Sequence, residues 1–421
     1  MLDLKNHPQR DLLEKELQQR FFPALQAPCR ICHWMLTLSP ASRSHEFQHL
    51  QQLAHQYGVA LLDGDVDLNL DLGNVMLRWE RHSEFSTYSF IKPGQSSGFE
   101  DPLSFLPSLD WFNPLPGQLF RVVQLQILTG AEQQTASNLF AAEHCMSSLL
   151  ADGKARVWTD FRKHPEGAGR MLLLDHGLSP SALARLVQQL FDLGNYRKLS
   201  LLGWPISRQT LSQLHLLEQQ LSDITQRIEQ QQGSDEQLLR EISQLSAHTE
   251  HLIANNSARL DASAAYYQLT LDRLKALREQ QVDGMMTLQD FSERRLTPAF
   301  RTAQSVQSRQ RSLSNRLGRS TELLRTRINL QLERQNTDLL ASMEKRVRLQ
   351  LSLQRAVERV SVVAISYYAI ALVDKTLESL HFWWPALPLE SCRSLSLPLV
   401  VLGVSFLLYR LHRHHQLSSS G

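Results

Sequence analysis

Two stretches near the C-terminus decide how this chain is built: Val360–Val373, which reads VSVVAISYYAIALV, and Leu395–Tyr409, which reads LSLPLVVLGVSFLLY. Neither holds a charge. Arg359 and Asp374 bound the first; Arg393 and Arg410 bound the second. Each is shorter than the ~20 apolar residues of a full helical span. Val357, Leu377 and Leu411 extend them, and arginine stems reach from just inside an interface to water. Trp383 and Trp384 fall between the two runs, where an interfacial aromatic belt sits. We expect transmembrane helices at 357–377 and 394–411, a short external loop at 378–393 and a tail at 412–421. Ser361, Ala364, Tyr368 and Ala371 share one face of the first helix, which predicts close helix packing there. The competing reading, two buried core helices, lacks a later domain to bury them.

Charge sets the orientation. Lys345, Arg346, Arg348, Arg355 and Arg359 precede the first run and Arg410 and Arg413 follow the second, whereas the loop offers only Lys375 and Arg393. The positive-inside rule places both termini in the cytosol. Met1–Pro8 carries no basic segment before an apolar run, so no secretory signal is expected. Four cysteines in 421 residues exclude a disulfide scaffold and fit a reducing compartment.

Outward from the tail, the composition describes a multi-part chain. A length of 421 residues predicts two or more domains. Hydrophobic residues at 42% and charged residues at 20% exclude a wholly disordered polymer. A mean hydropathy of −0.28 excludes a many-span membrane protein. A net charge of +2 gives no global field to recruit nucleic acid.

Residues 1–204 mix short helical and strand patterns and read as an α+β head. Helices are expected at Asp11–Arg20, Ala41–Tyr57, Glu132–Glu143 and from Ser179-Pro180 to about Tyr196. Strands are expected at Ile31–Leu38, Leu119–Leu128, Arg156–Phe161 and Met171–Leu174, with one long alternating strand over Val75–Ile91. After Pro205 the pattern becomes helical. The stretch 205–356 reads as a coiled-coil-like stalk of three helices, ending near Gln232, spanning Asp235–Gln281, and starting at Pro298. Asn256 and Ser263 interrupt its apolar seam, so these helices are expected to fold on each other or on a partner copy. Between Arg294 and Arg359 there are fifteen Lys/Arg and five Asp/Glu. Such a face is either solvated or drawn to anionic headgroups. No aromatic platform interleaves the arginines, so nucleic acid is not an expected partner.

Three constellations carry possible chemistry. His45-Glu46-Phe47-Gln48-His49 matches H-E-x-x-H, with His55 at the position of a third ligand. On a helix, His45 and His49 would hold zinc while Glu46 polarises a bound water. Gln52 stands where the longer motif has the glycine that turns the chain, and an ordinary amphipathic helix is the preferred reading. Cys29-Arg30-Ile31-Cys32-His33 matches C-x-x-C-H, a haem-attachment pattern, but lies in an expected cytosolic core strand. Glu80, His82 and Glu84 alternate along the Val75–Ile91 strand beside Arg78 and form a candidate polar cluster. Same-face neighbours on a strand are ~6.5–7 Å apart, so a single ion rarely bridges three of them. No cofactor is expected.

Gln350–Ile370 (QLSLQRAVERVSVVAISYYAI), Glu16-Leu17 through Phe22-Pro23-Ala24-Leu25, and Leu77–Phe85 (LRWERHSEF) resemble the signature of a bacterial family, domain-of-unknown-function family 3422, described as predicted membrane-anchored proteins. The resemblance implies anchoring in the bacterial inner membrane and brings no catalytic residues. The functional expectation is an oligomeric scaffold or interaction protein, without enzymatic activity, that displays a cytosolic domain. Its expected partners are the lipid bilayer, further copies of itself and an unidentified protein. The order of parts is also similar to CorA-type cation channels, but Ala369–Asp374 lacks their Gly-Met-Asn motif. Zinc peptidase is the third class.

Overall fold

The structure, a computed structural model, describes residues 7–10, 13–14, 21–129, 139–140, 145–383 and 389–418. It divides into two units, one of residues 1–233 with 240–321 and one of 234–239 with 322–421. The expected helices at Asp11–Arg20 and Glu132–Glu143 lie almost wholly outside the described residues.

The first unit is built on a mixed sheet. Its described strands are β1 (Cys29–Thr37), β2 (Asp67–Asp71), β3 (Met76–Arg81), β4 (Phe85–Pro93), β5 (Gln118–Thr129), β6 (Met146–Leu150), β7 (Ala155–Thr159), β8 (Gly169–Asp175) and β9 (Gln280–Gln281). They lie in the order β2-β3-β4-β1-β5-β8-β7-β6-β9. Only the β5–β8 pair is parallel. β1 is central and buried on both faces, which explains its nearly continuous apolar sequence.

Alternation along the strands sorts two cores. Cys32, Trp34, Leu36, Trp79, Tyr88 and Phe90 meet α1 (Ser42–Gln56) through Phe47, Leu50 and Leu53. Ile31, Leu125, Ile127 and Leu173 meet α2 (Pro180–Ser200) through Leu183, Val187, Leu190 and Phe191. Helix α1 ends where Gly58 takes φ +72°, a left-handed stop. Helix α2 opens with Pro180 at its first position, and Ser179 Oγ accepts from the Ala182 amide at 3.3 Å.

The expected single strand over Val75–Ile91 is instead a hairpin. Ser83 and Glu84 turn the chain between β3 and β4, and the His82 amide donates to the Phe85 carbonyl at 2.8 Å. Glu80, His82 and Glu84 therefore do not line one strand face.

Helices α3 (Gly203–Glu229), α4 (Asp235–Ala276) and the start of α5 (Leu288–Trp383) pack in the same unit as the sheet. Strand β9 also joins that sheet, so the compact unit does not end at residue 204. Neighbouring helices run antiparallel: Asn256 Nδ2 donates to Thr210 Oγ1 at 2.8 Å, and Gln307 Nε2 to Asp261 Oδ1 at 2.8 Å. One polar interruption of the seam finds a hydrogen-bond partner and the other packs against a glycine. Asn256 bonds across the α3–α4 contact, and Ser263 sits against Gly203, where a Cβ would approach its Oγ to 2.8 Å. Helix α5 begins ten residues before Pro298, which it accommodates at an exposed position.

In the second unit, α5 is exposed throughout 329–357. Its last part holds an 18-residue window of mean hydropathy 1.6, of which 6% is buried. Helix α6 (Leu389–Ser418) follows and contains a shorter apolar stretch, Arg393–Leu407. The described parts of the expected 378–393 loop are helical. Arg393 holds α6 to α5 through Asp374 at 3.3 Å and through Glu378.

Candidate functional site

The conserved geometry of a strand decides the fate of C-x-x-C-H. Cys29 and His33 point to the α2 side, while Cys32, three residues on, points to the α1 side. One haem cannot bond both sulfurs across a sheet. Burial pushes the Cys29 thiol up to about 12 and the Cys32 thiol higher still.

The H-E-x-x-H helix is similarly divided. Glu46 faces the core and is fully buried, whereas His45 and His55 are exposed. Glu46 Oε1 accepts from Tyr88 Oη at 2.5 Å and Trp79 Nε1 at 3.3 Å, and Oε2 accepts from Ser86 Oγ at 3.0 Å. Burial raises its pKa, against the opposing pull of those donors and of Arg81. His49 Nε2 lies 2.6 Å from the Trp111 carbonyl, and its ring stacks on Trp111. The carboxylate that would polarise a metal-bound water is thus committed to the sheet. Among the described residues, no three His, Cys, Asp or Glu side chains gather to hold a metal ion.

The Glu80–His82–Glu84 cluster separates into two parts. Glu80 Oε2 accepts from Arg78 at 3.5 Å, and Glu80 Oε1 lies 3.7 Å from His82 Nε2. Arg78, almost wholly buried, also reaches Asp67 at 3.3 Å and Asn69 at 3.2 Å. Glu84 turns away to helix α4, where it accepts both arms of Arg259, at 2.9 and 3.3 Å, and Tyr266 Oη at 3.4 Å. Glu84 therefore fastens helix to sheet, and only Glu80 and His82 remain side by side.

A second polar row, not anticipated from the sequence, crosses the same sheet. Register places Asn69 opposite Arg78, Arg78 opposite Ser89, and Ser89 opposite His33. His33 Nδ1 lies 2.8 Å from Ser89 Oγ; its Nε2 lies 3.1 Å from Asn195 Nδ2. Arg121 donates to Asn195 Oδ1 at 2.8 Å, which fixes the amide with its nitrogen toward His33. Nε2 must then accept and Nδ1 carry the proton, so the imidazole is neutral. Burial, and then the nearby Arg121 charge, holds its pKa well below the ordinary value. Gly194 makes room for Arg121: any Cβ there would strike the guanidinium. Ser89, His33 and Asn195 are hydrogen-bonded in turn and enclosed, which fits a rigid core better than proton transfer with solvent.

In the second unit, the sheltered side of the apolar part of α5 is that of Val362, Ser366, Ala369, Ile370 and Val373. Ala364, Tyr368 and Ala371 face outward, and Ser361 is half-buried. The packing face read from the sequence is therefore the more exposed one.

Comparison with curated proteins gives no match. The model of one family, described as protein of unknown function (DUF3422), matches residues 5–415. That match takes in the head, the helices and both apolar stretches, and by it the chain belongs to the DUF3422 family.

Proposed function

We propose that this protein is a membrane-anchored, non-enzymatic display scaffold: a two-helix transmembrane hairpin holds the sheet-based head on the cytosolic side of the bacterial inner membrane. The observation that supports it is the apolar end of α5, where an 18-residue window of mean hydropathy 1.6 is only 6% buried. A soluble protein rarely leaves so large an apolar surface uncovered, whereas hydrocarbon covers it without loss. The second apolar stretch beside it supplies the return span, and Arg393 pairs with both Asp374 and Glu378 at the outer end.

Self-association belongs to the same proposal. Leu332, Leu339, Met343, Leu353 and Val357 fall on heptad positions of the exposed length of α5. A lone helix has nothing to bury these side chains against, and a parallel copy supplies the missing face. The outward Ala364, Tyr368 and Ala371 would continue that contact within the bilayer.

The test is topological. In spheroplasts, a membrane-impermeant maleimide should label Cys392 without lysis. In a Cys392→Ala background, a thiol introduced by Ser44→Cys on the exposed head should be labelled only after lysis. Labelling of the head in intact spheroplasts, with Cys392 protected, would reverse the proposed orientation.

A further inference from the structure

A cavity of about 410 Å³ opens in the first unit between the start of β5, the β7–β8 loop and the C-terminal end of α2. Its lining is cationic. Arg121 comes from β5, Arg162, Lys163 and Arg170 from the loop and its exit, and Arg197 and Lys198 from α2. Arg170 is neutralised by Glu166, at 2.7 Å. Among the described residues, none of the other five makes an ion pair with a carboxylate.

The cavity is built rather than incidental. The Arg197 guanidinium lies 3.6 Å from the centre of the Phe161 ring and 5.5 Å from that of Phe291; the two rings stack at 4.5 Å. The rings hold the cation without using its hydrogen-bonding capacity. Arg197 Nη1 is enclosed and has no hydrogen-bond partner. Phe161 is held at φ +51°, an unfavourable conformation for an aromatic residue. The loop enforces it: Asp160 Oδ1 accepts from the Arg162 amide at 3.1 Å, and Asp160 Oδ2 lies 2.9 Å from His164 Nε2. Burial, then Arg121, lowers the Arg197 pKa to about 9; burial lowers that of Arg121 to about 10. Both are still cations at neutral pH. Lys198 is lowered by burial and by Arg121, Arg197 and Lys163. Like charges are thus concentrated where solvent screens them poorly, with the enclosed Arg197 Nη1 unspent and Arg121 and Lys198 bonded to neutral oxygens.

We propose that this cavity is a binding site for a multivalent phosphoanion, of the diphosphate or triphosphate class. A monocarboxylate would answer one of the five unpaired cations. A diphosphate carries enough charge for several, and its oxygens match the planar Arg fork and the point-like Lys donors. The volume admits such a group with a small substituent. The phosphate is either free, on a soluble ligand, or part of a lipid headgroup.

The test uses the full chain in detergent and calorimetric titration with inorganic pyrophosphate, each titration at one fixed ionic strength, with dihexanoylglycerol diphosphate as a second, lipid titrant. Saturable binding should appear and weaken as NaCl rises, as screening requires. It should also raise the melting temperature with the logarithm of the ligand excess. Arg162→Ala combined with Lys163→Ala, both at exposed positions, should leave the far-ultraviolet circular dichroism unchanged and weaken binding about tenfold or more. Arg197→Gln should abolish it. Binding of pyrophosphate identifies a soluble source; binding of the lipid diphosphate alone identifies a headgroup. No saturable binding of either titrant at millimolar concentration, or binding that the Arg162/Lys163 double variant leaves unchanged, would overturn the proposal.

Discussion

Replacing Glu46 with alanine is expected to destabilise the head by about 3–5 kcal/mol, because it removes one side of a buried charge-and-donor cluster. Tyr88 Oη, Trp79 Nε1 and Ser86 Oγ would lose their acceptor inside the core. Each unsatisfied group costs about 1–3 kcal/mol. Arg81, stacked on Phe47 and Trp79, would lose its nearby countercharge. Chemical denaturation followed by circular dichroism measures the loss. Glu46→Gln keeps the shape and should be far milder. The two variants also separate the charge from the packing. Burial raises the native Glu46 pKa, so the folded state holds its proton to higher pH than the unfolded chain does. Its favourable contribution is complete below the unfolded carboxyl value of about 4.3. That contribution is lost as pH climbs through the raised native value. The wild type should therefore fall in stability relative to Glu46→Gln as pH rises above about 4 and through the raised native value. Equal pH slopes for the two proteins would show that this carboxyl does not titrate abnormally.

The second large effect belongs to the apolar helices. Val363 and Leu402 are each 70% exposed. In water, exchanging such residues for arginine changes stability by within about 0.5 kcal/mol. At the centre of a membrane helix, arginine costs about 2.5–3.5 kcal/mol, and the favourable term of the lost apolar residue is forfeited as well. Val363→Arg combined with Leu402→Arg should thus shift most of the chain out of the carbonate-resistant membrane pellet. Retention at the wild-type level would mean that hydrocarbon does not surround these positions.

The head was legible where one physical signal dominated. Ile31–Leu38 and Leu119–Leu128 are rich in apolar residues, and Ser179-Pro180 and Gly58 punctuate helices as their backbone preferences require. β2 was missed because DLNLD places aspartates at both ends, and only pairing with β3 makes it a strand. β9 has two exposed glutamines and no sequence signal. The hairpin was hidden because Trp79, Phe85 and Tyr88 continue an apolar pattern through Ser83-Glu84, which carries no glycine, proline or asparagine. Pro298 marked a false helix start because a proline is also tolerated within an exposed length of helix. Of the candidate site residues, Glu80 and His82 were placed together from spacing alone. The same spacing put Glu84 with them, but its partner Arg259 lies 175 positions away, beyond any spacing argument. The cationic cavity had no local motif at all: Arg121, Phe161, Arg197 and Phe291 meet only after the sheet and the helices have packed.

The anchoring itself is tested most directly by flotation. Cells making the intact chain, or a chain ending at residue 350, would be lysed without surfactant, washed in alkaline carbonate and layered under a sucrose gradient. The intact chain should rise with the vesicles while the shortened one stays in the dense aqueous fractions. If both stay at the bottom, the apolar helices are covered by protein, and the membrane-display account is wrong.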